Sequence, residues 1–404
     1  MVKIISINAG SSSLKWQLFD MPEQTLIAKG MIDRLGKSNA VFTAKYGDNE
    51  KFEKQEPIET NELAVTLILT RLKELKIIDQ LEEIKAVGHR VVAGGEIFKK
   101  SAIITESSLD DIKRLSEYAP LHNPIEAYYI EVFSHLLPEA IQVAVFDSSF
   151  FSDLSPVNYL YSIESKYYDK YKVRKYGAHG TSHRYVANRA KELLDKDSEN
   201  RIVTLHLGSG ASISAIKDGV AIDTSMGFTP LAGITMATRS GDIDVSLIPY
   251  TMRKIGLSSI GDFIDILNKK SGLLGISGVS NDMRDLEMIE DENDRAHLAL
   301  EIFVNRVVKY VGSYIAELNG IDALIFTAGV GENGLEMRER ICEKLEFFGI
   351  KIDKERNNSR GKEVKISTDD AKVAVYVIPT NEELMIATDA YNLLSKVNEQ
   401  REQL

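Results

Sequence analysis

The chain has 404 residues, which is long for a single hydrophobic core and predicts two domains. Its formal net charge of -11 argues against nucleic acid or an anionic membrane as the main partner, although a few local arginines can still bind an anionic substrate. Cys342 is the only cysteine, which excludes an internal disulfide, and no signal-like or membrane-spanning apolar run is present, so we expect a cytoplasmic protein.

Strand-like and helix-like patterns alternate along the chain. Residues 297–318 carry apolar side chains at the spacing of a core-facing helix. Strands are predicted, in chain order, at both ends of residues 4–20 and within residues 142–147, 201–207, 322–329 and 372–379. This alternation is typical of the α/β class.

One segment occurs twice. When the sequence is displaced by 198 positions, "IISINAGSSSLKWQLFD" lies over "IVTLHLGSGASISAIKD", so that Asn8 matches His206 and Gly10 matches Gly208. Both copies predict a strand, a Gly/Ser corner and a second strand. The repeat indicates two domains of similar fold, and a chance similarity between two glycine-rich hairpins is the alternative.

The two Gly/Ser corners have two interpretations. Tight turns of this composition expose backbone N–H groups that bind phosphate oxygens, and at the first corner Ser11, Ser13 and Lys15 would add donors and one positive charge. An ordinary hairpin turn favours the same residues. The pattern of a P-loop does not occur in this sequence.

A second glycine pattern lies near the C-terminal end. Gly329, Gly331 and Gly334 form G-x-G-x-x-G between a predicted strand and a predicted helix, and Asp353 follows about 20 residues later. This pattern is consistent with an NAD-dependent enzyme. The same strand-to-helix turn also allows an adenosine to approach the backbone closely, as in an ATP-dependent enzyme.

Histidines and arginines are concentrated in glycine-rich or proline-rich strings. Arg90 and Arg239 stand among glycines, where a guanidinium can reach phosphate or carboxylate. His179 and His183 are four residues apart, but the intervening Gly, Thr and Ser disfavour a zinc helix. These residue types predict an anion site rather than a zinc site.

Carboxylates stand where predicted strands end. Asp147 ends one strand, and Glu382 and Glu383 follow another. Thr380 and Glu383 have the spacing of a capping box, which would explain Glu383 and leave Glu382 for another role. Acidic side chains beside phosphate-binding turns are typical Mg²⁺ partners.

Ten strings together resemble the acetate kinase family over nearly the whole chain. In chain order they are "NAGSSSLK", "GHRVV", "APLHNP", "VAVFD", "HGTSH", "DTSMGFTPLAG", "TRSGDID", "SNDMRD", "FTAGVGEN" and "IPTNEEL". The resemblance implies two domains of duplicated actin-like ATPase (ribonuclease H-like) fold with an interdomain cleft. The implied domains are residues 1–150 with a returning helix at 383–404, and residues 151–382 for nucleotide binding and dimerisation.

The resemblance also implies a reaction: reversible phosphoryl transfer between ATP and acetate, with Mg²⁺ or alternatively Mn²⁺, in a cytoplasmic homodimer. Asn8 and Glu382 are the implied metal residues, and Asp147, His179, Arg239 and Arg90 the implied catalytic residues. Val92, Leu121 and Pro230, with Arg90, resemble the acetate site. The implied nucleotide contacts, besides Ser11, Ser13 and Lys15, are His206, Leu207, Gly208, Ser209, Gly210, Asp282, Met283, Arg284, Gly329, Val330, Gly331, Glu332 and Asn333.

Three positions depart from the family pattern. Ser209 stands where the family usually has Asn, Ala93 where it has His, and Ala178 where it has a Phe that helps to wall the acyl pocket. A wider pocket would admit propionate, because one methylene is worth only about 1–3 kcal/mol of discrimination. A propionate or broader short-chain carboxylate kinase is therefore one alternative. An actin-like or chaperone-like ATPase without a small-molecule acceptor is another, of a different class.

Overall fold

The structure is a computed structural model that describes residues 2–10, 12–120, 122–194 and 199–402. Its internal contacts divide the chain into two units. Unit 1 comprises Met1–Ser152 and Asn381–Leu404, and unit 2 comprises Asp153–Thr380. The domain boundaries expected from the sequence, 150/151 and 382/383, stay predictions.

The strands of the described chain are, in order, β1 Val2–Ala9, β2 Ser13–Met21, β3 Thr25–Asp33, β4 Ala40–Tyr46, β5 Glu50–Glu56, β6 Ile84–Val91, β7 Ala102–Ile103, β8 Ile141–Phe146, β9 Arg201–Leu207, β10 Ala211–Lys217, β11 Val220–Thr224, β12 Ala323–Thr327, β13 Val364–Lys365 and β14 Ala374–Val377. The predicted strands at both ends of 4–20 and within 142–147, 201–207, 322–329 and 372–379 are all present, as β1, β2, β8, β9, β12 and β14.

The helices are, in order: α1 Asn61–Glu74, α2 Glu106–Arg114, α3 Asn123–Leu136, α4 Pro156–Tyr159, α5 Lys166–Tyr171, α6 Gly180–Leu194, α7 Leu247–Ile255, α8 Ile260–Lys269, α9 Gly272–Ser277, α10 Met283–Ile289, α11 Asp294–Glu317, α12 Ala328–Asn333, α13 Leu335–Glu343, α14 Lys354–Asn357 and α15 Glu382–Glu402. Among the residues described, no helix combines the length and the apolar composition needed to cross a lipid bilayer.

Unit 1 is built on a mixed sheet with the strand order β5-β4-β3-β2-β1-β6-β8-β7. β1 pairs antiparallel with β2 and parallel with β6, and β8 continues the parallel arrangement. α1 and α3 pack on one face around Trp16 and Phe133, and α15 packs on the other face through Ile386 and Ala390. The parallel strands β1, β6 and β8 end at the same edge, so polar residues at their carboxyl ends lie close together.

Unit 2 repeats this architecture with the strand order β11-β10-β9-β12-β14-β13. β9 pairs antiparallel with β10 and parallel with β12, as β1 does with β2 and β6. α11 packs beside β9 and β10, while α6 contacts β9 and β12. The strand order β3-β2-β1-β6-β8-β7 of unit 1 corresponds to this order, and β4 and β5 extend the sheet of unit 1 beyond β3.

The repeat predicted from the sequence is confirmed, but its two corners differ. β9 and β10 lie 198 positions after β1 and β2. In unit 1 the last strand pair, Ala9 with Leu14, encloses four residues, whereas in unit 2 Leu207 with Ala211 encloses three. The two corners therefore present different backbones although their sequences resemble each other.

Two helix starts are set by asparagines. α11 covers the predicted 297–318 helix and begins three residues earlier, because the Asn293 side chain accepts hydrogen bonds from the backbone N–H groups of Arg295 and Ala296, both at 3.0 Å. α15 begins at Glu382, and Asn381 Oδ1 accepts from Leu384 N at 3.1 Å. The predicted capping box of Thr380 and Glu383 is therefore wrong, since Asn381 has the capping role.

Candidate active site

Three predicted site residues of unit 1 meet at the carboxyl ends of its parallel strands. Arg90 is the penultimate residue of β6, Asn8 is the penultimate residue of β1, and Asp147 directly follows β8. Arg90 Nε donates to Asp147 Oδ1 and Oδ2 at 3.2 and 3.1 Å, and Arg90 Nη2 donates to Oδ2 at 2.6 Å. Arg90 Nη1 donates to Asn8 Oδ1 at 3.1 Å. This bidentate arrangement fixes the guanidinium plane.

Charge compensation at this cluster is local. The side chain of Asp147 is 2% exposed and that of Arg90 is 23% exposed. Burial by itself lowers the pKa of Arg90, but the carboxylates of Asp147 and Glu382 outweigh burial and hold it above its usual value. Removal of either member of such a pair leaves an uncompensated buried charge.

Two further buried carboxyl groups lie near Arg90. Burial raises the pKa of Glu382, at the start of α15, to about 7, and the charge of Arg90 opposes this shift. Burial raises the pKa of Glu126, on α3, to about 8, although the backbone N–H of Val92 donates to its Oε2 at 3.0 Å. Glu126 was not predicted as a site residue.

The donor chemistry of this cluster fits a hard divalent cation. Within the described ranges, no group of three or more His, Cys, Asp or Glu side chains is arranged to hold a metal. Mg²⁺ does not require one, because it is commonly held by one or two carboxylates together with water and substrate phosphates. The amide oxygen of Asn8 and the carboxylate of Glu382 are oxygen ligands of the appropriate type.

The first Gly/Ser corner is only partly described. The Gly10 N–H donates to the carbonyl of Ser13 at 2.8 Å, and the Ser12 carbonyl accepts from Leu35 N at 2.9 Å. Lys15 is exposed on β2. Ser11 and Leu121, both predicted site residues, lie outside the described residues. The N–H group of Gly10 is thus used within the turn itself.

Unit 2 contains a chain of histidines and hydroxyl groups. Ser212 Oγ lies 2.8 Å from His179 Nδ1 and 2.7 Å from His183 Nε2, and His183 Nδ1 lies 2.7 Å from Thr204 Oγ1. The rings of His179 and His206 are stacked with centroids 4.1 Å apart. Burial lowers the pKa of His183 well below its usual value, so this imidazole is neutral.

This network continues from His206 to the end of unit 2. His206 Nδ1 lies 2.8 Å from Ser182 Oγ, which is 2.8 Å from Thr380 Oγ1. Thr380 therefore contributes a hydroxyl to the network in place of its predicted capping role. The contacts of His206 that the structure describes are with hydroxyl and imidazole groups.

Arg239 and His179 approach each other at the second Gly/Ser corner. A Cβ atom placed on Gly210 would lie 3.4 Å from His179 Nε2 and 3.5 Å from Arg239 Nη1. Arg239 Nη1 donates to the carbonyl oxygen of Pro230 at 3.4 Å, and among the described residues Arg239 has no carboxylate partner. Burial lowers the pKa of Arg239. An unpaired, half-buried guanidinium beside a histidine is suited to bind an anion.

A cleft of about 700 Å³ adjoins this corner within unit 2. Eight predicted nucleotide contacts line it together: Gly208, Ser209, Asp282, Met283, Arg284, Gly329, Val330 and Asn333. They come from three separate stretches of sequence, and the fold brings them to one surface. The size and mixed polarity of the cleft are appropriate for a nucleotide.

Other predicted nucleotide residues do not line the cleft. Leu207 is buried in the core. The carbonyl oxygen of Gly331 accepts from buried Arg338 at 2.9 Å. Glu332 Oε1 accepts from Ala328 N at 2.9 Å and from Thr380 N at 3.0 Å. Gly331 and Glu332 thus make contacts that hold α12 in place, while Gly329, Val330 and Asn333 present the cleft surface.

Several cleft residues were not predicted from the sequence. They are Ala237, Leu273, Asn281, Glu287, Phe303 and Arg360, while Gly334, the last glycine of the G-x-G-x-x-G pattern, also lines the cleft. Arg360 donates from Nη1 to the carbonyl of Asn333 at 2.6 Å, which brings a distant loop to the cleft. It directly precedes Gly361, so the criterion that selected Arg90 and Arg239 would also have selected Arg360.

The acidic residue of the NAD pattern has a structural role. Asp353 caps α14 by accepting from the backbone N–H groups of Glu355 and Arg356 at 2.9 and 3.0 Å. Gly329 lies at the cleft with open space where a Cβ would be. The glycine-rich turn therefore contributes to the cleft without the acidic partner that a dinucleotide site uses.

A sequence profile of the Acetokinase family matches residues 3–388. The chain belongs to the acetokinase family. It is 63% identical over 394 residues to acetate kinase 1 of Latilactobacillus sakei subsp. sakei (strain 23K), with 97% of this chain and 100% of the relative covered. It is 53% identical over 395 residues to the acetate kinase of Enterococcus faecalis (strain ATCC 700802 / V583), with coverage of 97% and 100%.

Solved structures agree with the family. The acetate kinase of Porphyromonas gingivalis is 42% identical, with a TM-score of 0.92 and coverage of 98% of this chain and 100% of the other. A propionate kinase from Francisella tularensis subsp. tularensis SCHU S4 is 40% identical, with a TM-score of 0.90 and coverage of 97% and 100%. The predicted family, fold class and enzyme class, an ATP-dependent carboxylate kinase, are confirmed, and the NAD-dependent and chaperone-like alternatives are set aside.

Proposed function

We propose that this chain catalyses reversible phosphoryl transfer between ATP and acetate, giving ADP and acetyl phosphate. The observation that carries the proposal is Arg239, an unpaired cation that meets His179 at the Gly210 corner, next to the nucleotide cleft. A γ-phosphoryl group held in this cleft would find a guanidinium and an imidazole at the position where negative charge spreads during transfer.

The acceptor chemistry needs no general base. Acetate is ionised at neutral pH, so one carboxylate oxygen attacks the γ-phosphorus directly, the bond from phosphorus to the β,γ-bridging oxygen breaks, and its electron pair leaves with ADP. The protein has to align the two anions and neutralise their charge. Arg90, Arg239 and His179 have these roles in the proposal, and Asp147 orients Arg90 through the bidentate ion pair.

Asn8 and Glu382 would hold Mg²⁺, or alternatively Mn²⁺. When bound together with ATP, the cation neutralises phosphate charge and orients the triphosphate. Lys15 lies opposite Asn8 in the β1–β2 pair and is exposed, so it is available to an anion. Ser11 and Ser13 at the first corner belong to the same proposed phosphate path.

The nucleotide would lie in the unit 2 cleft. Gly208 and Ser209, which directly precede Gly210, line the cleft together with Asp282, Arg284 and Gly329. The guanidinium of Arg284 is neutralised by Asp282, with Nη2 and Oδ2 2.6 Å apart. This pair is therefore suited to polar contacts with a nucleoside, while the unpaired Arg239 is suited to the phosphoryl group.

Val92, Leu121 and Pro230 would form the acyl pocket. Ala178, where the family usually has Phe, is buried in the hydrophobic core of unit 2. Because Ala178 leaves less aromatic bulk at that position, propionate is the second candidate substrate. The similarity to a solved propionate kinase at a TM-score of 0.90 supports testing both acids.

We further propose a cytoplasmic homodimer, with no nucleic acid or membrane partner. The supporting observations are a net charge of -11 and large exposed apolar side chains in unit 2, including Val157 at 88%, Val245 at 72% and Ile260 at 65% exposure. Exposed apolar residues mark protein contacts where they form a contiguous patch.

The direct test is steady-state phosphorylation of acetate, propionate and butyrate with Mg-ATP, with the acyl phosphate trapped as hydroxamate. We expect the highest kcat/KM for acetate. A higher value for propionate would make it the preferred substrate while leaving the mechanism intact. Slow ATP hydrolysis without acyl phosphate from any acid would overturn the proposed function.

A further inference from the structure

Side chains from other parts of unit 1 fix the backbone of residues 92–94, which follow β6. Residues 92–94 leave β6, and each backbone N–H donates to a different side chain. Val92 donates to Glu126 Oε2, Ala93 to Asn123 Oδ1 and Gly94 to Ser148 Oγ, all at 3.0 Å. Three consecutive donors are therefore fixed by residues from α3 and from the end of β8.

The three acceptors are themselves buried. Asn123, Glu126 and Ser148 are 0%, 2% and 6% exposed. Asn123 also donates from Nδ2 to the carbonyl oxygen of Ala93 at 3.0 Å and to that of Ile112 at 3.3 Å. Because water has little access to these groups, loss of one acceptor leaves its N–H partner unsatisfied or forces the segment to move.

Glu126 is an unfavourable residue for a position with a purely structural role. Its Oε2 accepts from Val92, but its Oε1 is buried and, among the described residues, has no hydrogen-bond partner. A buried carboxyl group with one unsatisfied oxygen costs stability that an apolar side chain of similar size would not. Such a cost at a buried position is typical of a residue kept for function.

We propose that Glu126 is a positioning residue that sets the width of the acyl pocket by holding Val92 in place. The inference rests on the proposed function, because it takes Val92 as part of the pocket wall. Asn123 and Ser148 hold the next two residues and limit how far the wall can move. Glu126 acts through Val92 and does not touch the substrate.

Loss of the Glu126 acceptor has a specific consequence in this proposal. The Val92 N–H then lacks its partner, residues 92–94 relax, and the wall recedes from the acyl group. Acetate is held less well, whereas propionate fills the added space. ATP binding, which the proposal assigns to unit 2, is unaffected.

The experiment compares three variants by KM and kcat for acetate, propionate and ATP. Glu126→Met removes the acceptor and keeps the volume, Glu126→Gln keeps an acceptor and cannot ionise, and Glu131→Met is the control. Glu131 is an exposed residue of the same helix that pairs with Lys113 at 2.6 Å. Thermal unfolding of each variant reports its stability.

We expect Glu126→Met to raise KM for acetate about tenfold and the propionate-to-acetate ratio of kcat/KM about fivefold, with KM for ATP within about twofold of wild type. For Glu126→Gln and Glu131→Met, each KM and kcat should stay within about twofold of the wild-type value. The inference would be overturned if Glu126→Met left the propionate-to-acetate ratio of kcat/KM unchanged or raised KM for ATP as much as KM for acetate. It would also be overturned if Glu126→Gln and Glu126→Met lost the same amount of activity with acetate.

A second variant covers the case in which Glu126→Met does not fold. Ser148→Ala removes only the Gly94 acceptor, and we expect the propionate-to-acetate ratio of kcat/KM to rise about threefold, beyond the range of the Glu131→Met control. An unchanged ratio in that variant would overturn the inference. Failure of the proposed function is separate, because the wild-type enzyme would then produce no acyl phosphate.

Discussion

The two units place their predicted catalytic arginines in opposite electrostatic settings. In unit 1, Arg90 is paired with Asp147 at 2.6 Å and also donates to Asn8. In unit 2, Arg239 is half-buried and donates only to a backbone carbonyl and, weakly, to the Met236 sulfur, and among the described residues it has no carboxylate partner. The same residue type is thus compensated in one unit and uncompensated in the other.

The difference indicates that the two arginines have different roles. A guanidinium locked by a bidentate carboxylate has a fixed orientation and presents its remaining N–H groups to a substrate without moving. An unpaired guanidinium in a partly buried site gains most from an incoming anion, because burial disfavours its charge until a partner arrives. Arg90 is therefore suited to orient the acceptor, and Arg239 to stabilise the transferring phosphoryl group.

The largest effect is expected from Arg239→Gln. Loss of the unpaired cation should lower kcat by about 10³–10⁵-fold, the range observed for arginines that stabilise phosphoryl transfer. Stability should be unchanged or slightly higher, because no buried carboxylate loses a partner. Steady-state kinetics and thermal unfolding measure the two quantities.

Arg201→Gln is the matched control for that experiment. Arg201 belongs to the same unit but pairs with Asp322 at 3.1 Å, away from the cleft residues. This control should retain activity and lose some stability. Near-normal turnover in Arg239→Gln would remove Arg239 from the mechanism.

Arg90→Gln should affect both activity and stability. We expect kcat to fall about 10³-fold and the free energy of unfolding to fall by about 3–5 kcal/mol, because Asp147 remains as a buried, unpaired charge. The double variant Arg90→Gln with Asp147→Asn should recover most of the stability and none of the activity. Chemical denaturation and hydroxamate assays separate the two effects, and a stable single variant would contradict the role assigned to the pair.

A smaller effect is expected from Ser212→Ala. Ser212 bridges His179 and His183, so its loss should misorient His179 and lower kcat about 10- to 100-fold with little change in KM for ATP. Ser214→Ala is the control, because Ser214 is buried on the same strand and bonds Thr224 at 3.1 Å instead of a histidine. Equal kinetic losses in both variants would mean that strand packing, not the imidazole, is responsible.

Much of the fold follows from local patterns. The repeat of the Gly/Ser hairpins predicted the duplication, and the apolar runs predicted the central strands, because buried strands have a strong signal in sequence. Asp147 was found for the same reason, since it follows a buried strand directly. The sequence did not show that one Gly/Ser corner has three residues and the other four, because strand register depends on pairing partners and not on composition.

The missed site residues depend on tertiary contacts. Glu126 stands in the helical stretch "NPIEAYY", where a glutamate usually faces solvent, and only the packing of α3 against the sheet buries it. Thr380 was assigned to a cap, although its hydroxyl joins Ser182 and His206. In both cases the local pattern has an ordinary explanation, and the observed contact involves residues distant in sequence.

The smallest expected effect concerns two buried histidines, one in each unit. Burial lowers the pKa of His89 in unit 1 to about 4, and that of His183 in unit 2 also falls. Because an unfolded histidine binds its proton near pH 6.5, the unfolded state takes up a proton first as the pH falls. Each of these histidines should therefore contribute a loss of stability below pH 6.5, and the contribution of His89 alone should be about 3 kcal/mol by pH 4.

His89→Gln isolates the contribution of unit 1. The glutamine amide can replace the contact of His89 Nε2 with Gln142 Oε1 at 2.8 Å, but it does not titrate. Denaturant unfolding at pH 7 and pH 5 gives the change in stability on acidification for this variant and for wild type. The change should be less unfavourable for the variant, and the difference between the two proteins measures His89, because His183, Glu126 and Glu382 titrate in both. The same change in both proteins would mean that protonation of His89 is not linked to folding.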